Sequence, residues 1–182
     1  SIGTDIKYGE IPRSDEFNLN FSTPSERSSI YYDGGESAGI DRIQEYIWEE
    51  DNLRNYKETR NGLLGEDYSS KFSPWLSLGC VSPRYIYEEV KKYEEERVSN
   101  DSTYWLIFEL MWRDFFQFQF LKHGSDFFQS DGIRSVDPFW RQDTEDFNKW
   151  AEGNTGVPFV DANMRELNET GFMSNRGRQN VA

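Results

Sequence analysis

Residues 102–122 read STYWLIFELMWRDFFQFQFLK, and the fold class turns on this run. Trp105, Leu106, Phe108, Leu110, Met111, Phe115 and Phe116 leave little polar surface, which predicts a central, buried helix over 103–122 with Ser102 just ahead of it. Within it Glu109, Trp112 and Arg113 lie three and four positions apart and share one face. A carboxylate and a guanidinium seldom go inside unless they meet each other or a polar ligand. Spacing therefore leaves two readings: a structural Glu109–Arg113 pair beside a packed tryptophan, or the polar lining of a site.

Upstream, Ser82 and Pro83 make a helix start, a capping hydroxyl followed by a residue that needs no amide partner, and predict a helix over 83–98 with an acidic outer face at Glu94, Glu95 and Glu96. Ile40, Ile43, Ile47 and Trp48 follow helical spacing after Gly34 and Gly35, so a helix is expected to run to about Arg54, with a loop through Gly62 and Gly65. Downstream, Asp143, Thr144, Glu145 and Asp146 place acids at the start of a short helix ending at Gly153. A further helix is expected from Val160 to Thr170, stopped by Gly171. No alternating strand pattern and no repeat occurs, so the chain reads as all-α. Residues 1–36 mix Gly, Ser, Pro and Asp without a sustained period and read as an interdomain linker; 37–182 is the helical part.

With 182 residues the chain suits one domain. Hydrophobic residues make up only 36%, yet 16% are aromatic, so the core must be built heavily from Phe, Tyr and Trp. The net charge of −13 argues against broad adhesion to nucleic acid and leaves room only for a local basic pocket. Cys80, the single cysteine, excludes an intrachain disulfide, and no apolar stretch approaches the roughly 18 residues of a membrane span. These features suit an intracellular protein that does not enter membranes. Ser1 reads as an internal starting point, and Asn180, Val181 and Ala182 follow without a stop signal, so both ends read as cuts.

Two further segments carry chemistry. Ser69, Ser70, Lys71, Phe72 and Ser73 put three hydroxyls and a cation together, which is either an ordinary polar loop or a cradle for a diphosphate. Residues 171–179, GFMSNRGRQ, are cationic in an acidic chain; Asn175, Arg176, Arg178 and Gln179 suit an anion and a base edge, or pairing with neighbouring helix acids. His123 has no partner for a metal or nucleophile site and reads as a surface or helix-end residue. Cys80 reads as packed rather than reactive, and no metal site is expected.

Taken in order and spacing, these segments resemble the cryptochrome and DNA photolyase family across nearly all of residues 34–182. Tyr56, Thr59-Arg60-Asn61-Gly62 and residues 69–76, SSKFSPWL, are similar to its flavin-phosphate loop, and residues 109–116, ELMWRDFF, to its central helix. Thr155-Gly156, Pro158 and residues 161–165, DANMR, are similar to its next motif. Phe172, Ser174 and Gln179, where most members differ, are similar to the DASH branch.

The resemblance implies a bowl of helices holding FAD. Tyr56, Ser69, Ser70, Lys71, Phe72 and Ser73 would cradle its phosphates, and Leu106, Glu109, Arg113, Phe172, Asn175 and Arg178 would line the rest of the wall. It implies light-driven electron transfer from reduced FAD to cyclobutane pyrimidine dimers in damaged DNA, with single strands preferred; the alternative is a blue-light receptor that binds FAD and nucleic acid or a protein without repair. Glu109, Trp112, Asn175, Arg176 and Gln179 would meet the lesion, and Trp140 would be the outer member of a tryptophan relay. It further implies a monomer, an N-terminal antenna domain with a folate-type chromophore, and a C-terminal remainder of the FAD-binding domain. Neither of those last two parts lies within this sequence, so residues 1–182 alone are expected to be inactive and to bind flavin weakly.

Overall fold

Ser82 and Pro83 do start a helix. In the computed structural model, which describes residues 14–17, 24–139 and 141–182, the Ser82 hydroxyl accepts from the Arg84 amide and Pro83 occupies the first turn of α4 (Pro83–Glu96). The helix stops two residues short of expectation because Arg97 turns out of it, donating to Asp51 Oδ1 at 3.0 Å and to the Trp48 carbonyl at 2.7 Å. Ahead of it lie α1 (Glu36–Gln44), α2 (Tyr56–Thr59) and α3 (Ser73–Ser77). After it come α5 (Asp101–His123), α6 (Thr144–Ala151), α7 (Pro158–Thr170) and α8 (Asn175–Val181). No strand occurs among the described residues, and the all-α expectation is met.

The single helix expected up to Arg54 is instead three pieces. α1 widens into a π turn over Glu45–Glu49, the chain reverses at Asp51 with φ at 54°, and a 3-10 turn, Asn52–Asn55, leads into α2. The reversal is held by the Asp51 carboxylate, which accepts from the Tyr93 hydroxyl at 2.5 Å and from Arg54 at 2.8 Å. A second correction concerns the start of α5. Its cap is Asn100, whose side chain accepts from the amides of Ser102 and Thr103 while Thr103 Oγ1 accepts from the Asn100 amide, a reciprocal capping box. The Ser102 hydroxyl is buried and serves a different end, accepting from the Lys57 amide and donating to Glu58.

The core has two unequal parts, and the expected aromatic contribution falls in the larger one. Ile43, Tyr46, Ile47, Leu53, Tyr56, Phe72, Trp75, Ile86, Val90, Tyr93 and Leu106 form the larger one, with Cys80 packed at its margin. Met164, Met173 and Val181 form the smaller one under α6, α7 and α8. α5 is not buried throughout, contrary to expectation. Ser102, Thr103 and Leu106 are enclosed, but from Met111 onward the helix runs past its neighbours and exposes Trp112, Phe115, Phe116, Phe118, Phe120 and Leu121. His123 is its last residue, as a helix-end reading requires.

Asp143 caps α6 by accepting from the amides of Glu145 and Asp146, and Gly171, at φ 73°, closes α7 in the left-handed conformation that favours glycine. Asp161 ties the loop ahead of α7 by accepting from the Thr155 hydroxyl and amide and the Gly156 amide at 2.6, 2.7 and 3.0 Å. Those bonds, the Thr155 hydroxyl's above all, hold its carboxyl below the usual aspartate range. Gly177 lets α8 close onto α7, since a Cβ there would collide with the Asn163 side-chain oxygen. Within the stretch read as a linker, Ile30 is buried, and Arg27 pairs with Glu169 at 3.0 Å. No helix among the described residues is long and apolar enough to cross a membrane.

Candidate functional site

The loop between α2 and α3 and the turn between α7 and α8 face each other across a cleft of about 410 Å³. Tyr56, Ser69, Ser70, Lys71, Phe72 and Ser73 line one side, and Phe172, Met173, Asn175 and Arg178 the other. Glu109 of α5 reaches the same cleft. A second hollow of about 330 Å³ shares Tyr56, Ser70, Phe72, Ser73 and Glu109 with the first and adds Leu106 and Arg113. All twelve residues expected along the cofactor wall therefore meet in two adjoining hollows, although the chain that carries them spans more than a hundred positions.

Lys71 dominates the electrostatics. It is 7% exposed, its Nζ has no hydrogen-bond partner, and it rests against aromatic faces, 3.5 Å from the Tyr68 ring centre and 4.8 Å from that of Phe172. Burial, helped by the nearby Arg42 charge, pushes its ammonium down to about 8. A buried cation without a carboxylate partner is costly, so the cleft is set up to receive an anion. Tyr56 is pushed up to about 12, chiefly by burial, and so stays protonated, a neutral hydroxyl at pH 7. Burial raises Glu166 above the usual glutamate range, with the Lys71 charge opposing.

The Glu109–Arg113 pair that spacing allowed does not form. Glu109 is held by Arg60, whose guanidinium stacks over the Trp105 ring at 5.1 Å. Arg113 turns to Asp114 at 3.2 Å and to the Leu76 carbonyl at 3.5 Å. Trp112 lines neither hollow; it is 42% exposed and packs against Phe108, Phe115 and Phe116. Arg176 and Gln179 lie exposed on α8, bonded to each other at 3.1 Å, while their neighbours Asn175 and Arg178 reach the cleft. The relay assignment of Trp140 falls outside the described residues.

Tyr32, Arg60, Tyr68 and Met173 also line the cleft and had not been singled out as site residues. Tyr68 was within reach of sequence reasoning, being next to Ser69. Tyr32 had no such signal, because it arrives from the stretch read as a linker, packing edge-on against Trp75 at 5.4 Å. No group of three or more His, Cys, Asp or Glu residues suited to a metal occurs among the described residues.

Among the described residues, an all-helical arrangement with hydroxyls, an unpaired ammonium and aromatic walls around one cleft has the chemistry to receive a flat, anionic organic ligand. Residues 105–182 match the family described as the FAD binding domain of DNA photolyase. A cryptochrome DASH of Natronomonas pharaonis is 60% identical over 96% of this chain and 37% of its own length. The solved cryptochrome of Synechocystis sp. superposes with a TM-score of 0.89 at 57% identity, over 97% of this chain and 36% of that one. A class III photolyase from Agrobacterium tumefaciens gives 0.66 at 30% identity, over 81% of this chain and 30% of that one. The chain belongs to the cryptochrome/DNA photolyase family, within its DASH-type cryptochromes, and it spans about a third of the length of the relatives it matches.

Proposed function

We propose that the cleft holds the diphosphate of FAD and that the complete protein repairs cyclobutane pyrimidine dimers in light, preferring single-stranded DNA. The observation that carries the cofactor reading is Lys71, a buried ammonium without a partner beside three serines. Ser69, Ser70 and Ser73 donate hydroxyls to the phosphate oxygens, the Tyr56 hydroxyl donates beside them, and Lys71 supplies the charge. Arg178, on the opposite wall and bonded through Nε to the Met173 carbonyl at 3.2 Å, adds a second cation. Reduced FAD held there would, on excitation, lend the dimer an electron that the separated bases give back once the ring has opened; the chain's task is to place the cofactor and admit the lesion.

Lesion contacts fall to groups near the mouth. Glu109, paired with Arg60, accepts a hydrogen bond from a base edge, and Asn175 offers both a donor and an acceptor. Trp112, one turn beyond Glu109 and open to solvent, stacks on the extruded pair, while Arg176 and Gln179 meet phosphates. Single strands are favoured because no base pair has to be broken to bring the lesion out. Residues 1–182 alone bind flavin weakly, since Asn175 and Arg178 on the cleft's far wall stand exposed.

The test is to illuminate the complete protein with dimer-containing single- and double-stranded oligonucleotides and count dimers. Loss in single strands supports the proposal. Stoichiometric flavin without repair of either substrate overturns it in favour of a light receptor, the reading suggested by the name cryptochrome that its relatives carry.

A further inference from the structure

Arg42 is a guanidinium in the core, 4% exposed on the inner face of α1 and stacked at 5.3 Å over the Tyr46 ring. It does not line the cleft. A charge buried so deeply needs acceptors for its donors, and four of its five hydrogen bonds go to one loop. Nε donates to the Ser70 carbonyl at 3.3 Å and Nη2 to the Glu66 carbonyl at 3.3 Å. Nη1 and Nη2 both donate to Asp67 Oδ1 at 3.2 Å. The fifth bond, to Glu45 at 2.8 Å, ties the guanidinium to the π turn after α1. The fork is planar and rigid, so these bonds fix the loop's carbonyls in direction as well as in place.

The loop needs such a hold. Lys71 sits at φ 55°, a left-handed conformation that a lysine adopts only where its surroundings impose it. The Ser70 carbonyl and the Lys71 amide belong to one planar trans peptide and point in opposite directions. With the carbonyl turned back to Arg42, the Lys71 amide faces away from Arg42. The Lys71 ammonium then ends without a partner, between the Tyr68 and Phe172 rings.

We propose that Arg42 is the positioning residue of the anion cradle: by gripping the Glu66 and Ser70 carbonyls it locks the loop in the conformation that presents Lys71 to a diphosphate. This rests on the cofactor reading above. A lysine at position 42 would keep the charge but lacks the fork, so charge alone does not substitute.

The test uses the complete protein, stripped of flavin and titrated with FAD and with riboflavin, which has no phosphate. Arg42→Gln and Arg42→Lys lower the ratio of FAD to riboflavin affinity about tenfold while riboflavin binding holds, and adding Lys71→Met costs less than the product of the separate losses. Asp67→Ala removes the oxygen that accepts from both Nη1 and Nη2, on a side chain that is 50% exposed, leaves the fold intact, and gives a smaller fall in the same ratio, which keeps the test open where an Arg42 variant misfolds. Variants that keep the wild-type ratio, or that weaken both ligands in step, overturn the positioning role. A wild-type protein that shows no preference for FAD over riboflavin overturns the cradle itself, and the role of Arg42 with it.

Discussion

The two halves of α5 are both rich in apolar side chains and differ in circumstance. In the inner half Leu106 is 3% exposed against the main core, and Glu109 finds Arg60 across the cleft. In the outer half Leu121 is 81% exposed and Phe118 is 68% exposed, and the rings there pack on one another, as Trp112 does on Phe116 and Phe120 on Phe127. The difference teaches that an aromatic run specifies a helix without specifying what covers it. Burial comes from neighbours, and among the described residues the main core reaches only the inner half.

Three perturbations break or sharpen the contrast. The largest effect falls on paired truncations: Leu106→Ala destabilises the chain by about 3 kcal/mol in urea unfolding, whereas Phe118→Ser changes it by less than about 0.5 kcal/mol. Equal losses would mean that the outer half is packed after all.

Across the cleft from the inner half, Lys71 gives the next effect. Its folded ammonium titrates near 8 and its unfolded one near 10.5, so the unfolded chain binds more protons between those values and stability rises with pH across that window. Lys71→Met removes this contribution and stabilises the chain at pH 7 by on the order of 2 kcal/mol. Urea midpoints of the wild type and of Lys71→Met, each measured at pH 7 and pH 10, check both statements, because the buried tyrosines, Tyr56 among them, act alike in the two proteins; a gap between the two that does not narrow by pH 10 contradicts the burial of an unpaired charge.

The smallest effect is at the helix start. Asn100→Ala removes the capping box and costs about 1 kcal/mol, with amide exchange quickening first at Ser102 and Thr103 and not in the outer half. Uniform quickening along α5 would show that the halves do not melt separately.

Much of the fold and the candidate site was legible because it rests on near neighbours in the chain. The cap at Ser82, the acidic start of α6, the stop at Gly171 and the cluster at 69–73 each depend on residues within a few positions of one another. Two expectations, and one of two open readings, failed where a distant partner intervened. The helix expected to Arg54 breaks at Asp51, which is held by Tyr93, 42 positions away. Ser102 loses the cap to Asn100 and instead meets Glu58, 44 positions away. Glu109 pairs with Arg60, 49 positions away, rather than with Arg113 on its own helix.

The sequence by itself determined that this protein is helical and that its 69–76 loop and central-helix motifs belong to one family, because periodicity, caps and motif order are local properties of the chain. Only the tertiary structure decided which half of α5 is covered, that Lys71 is buried without a partner, and that Arg42 grips the Ser70 carbonyl 28 positions away. The physical reason is that burial and the choice of an ion-pair partner depend on which remote segments arrive at the same place, and one residue's spacing from its neighbours carries no record of that.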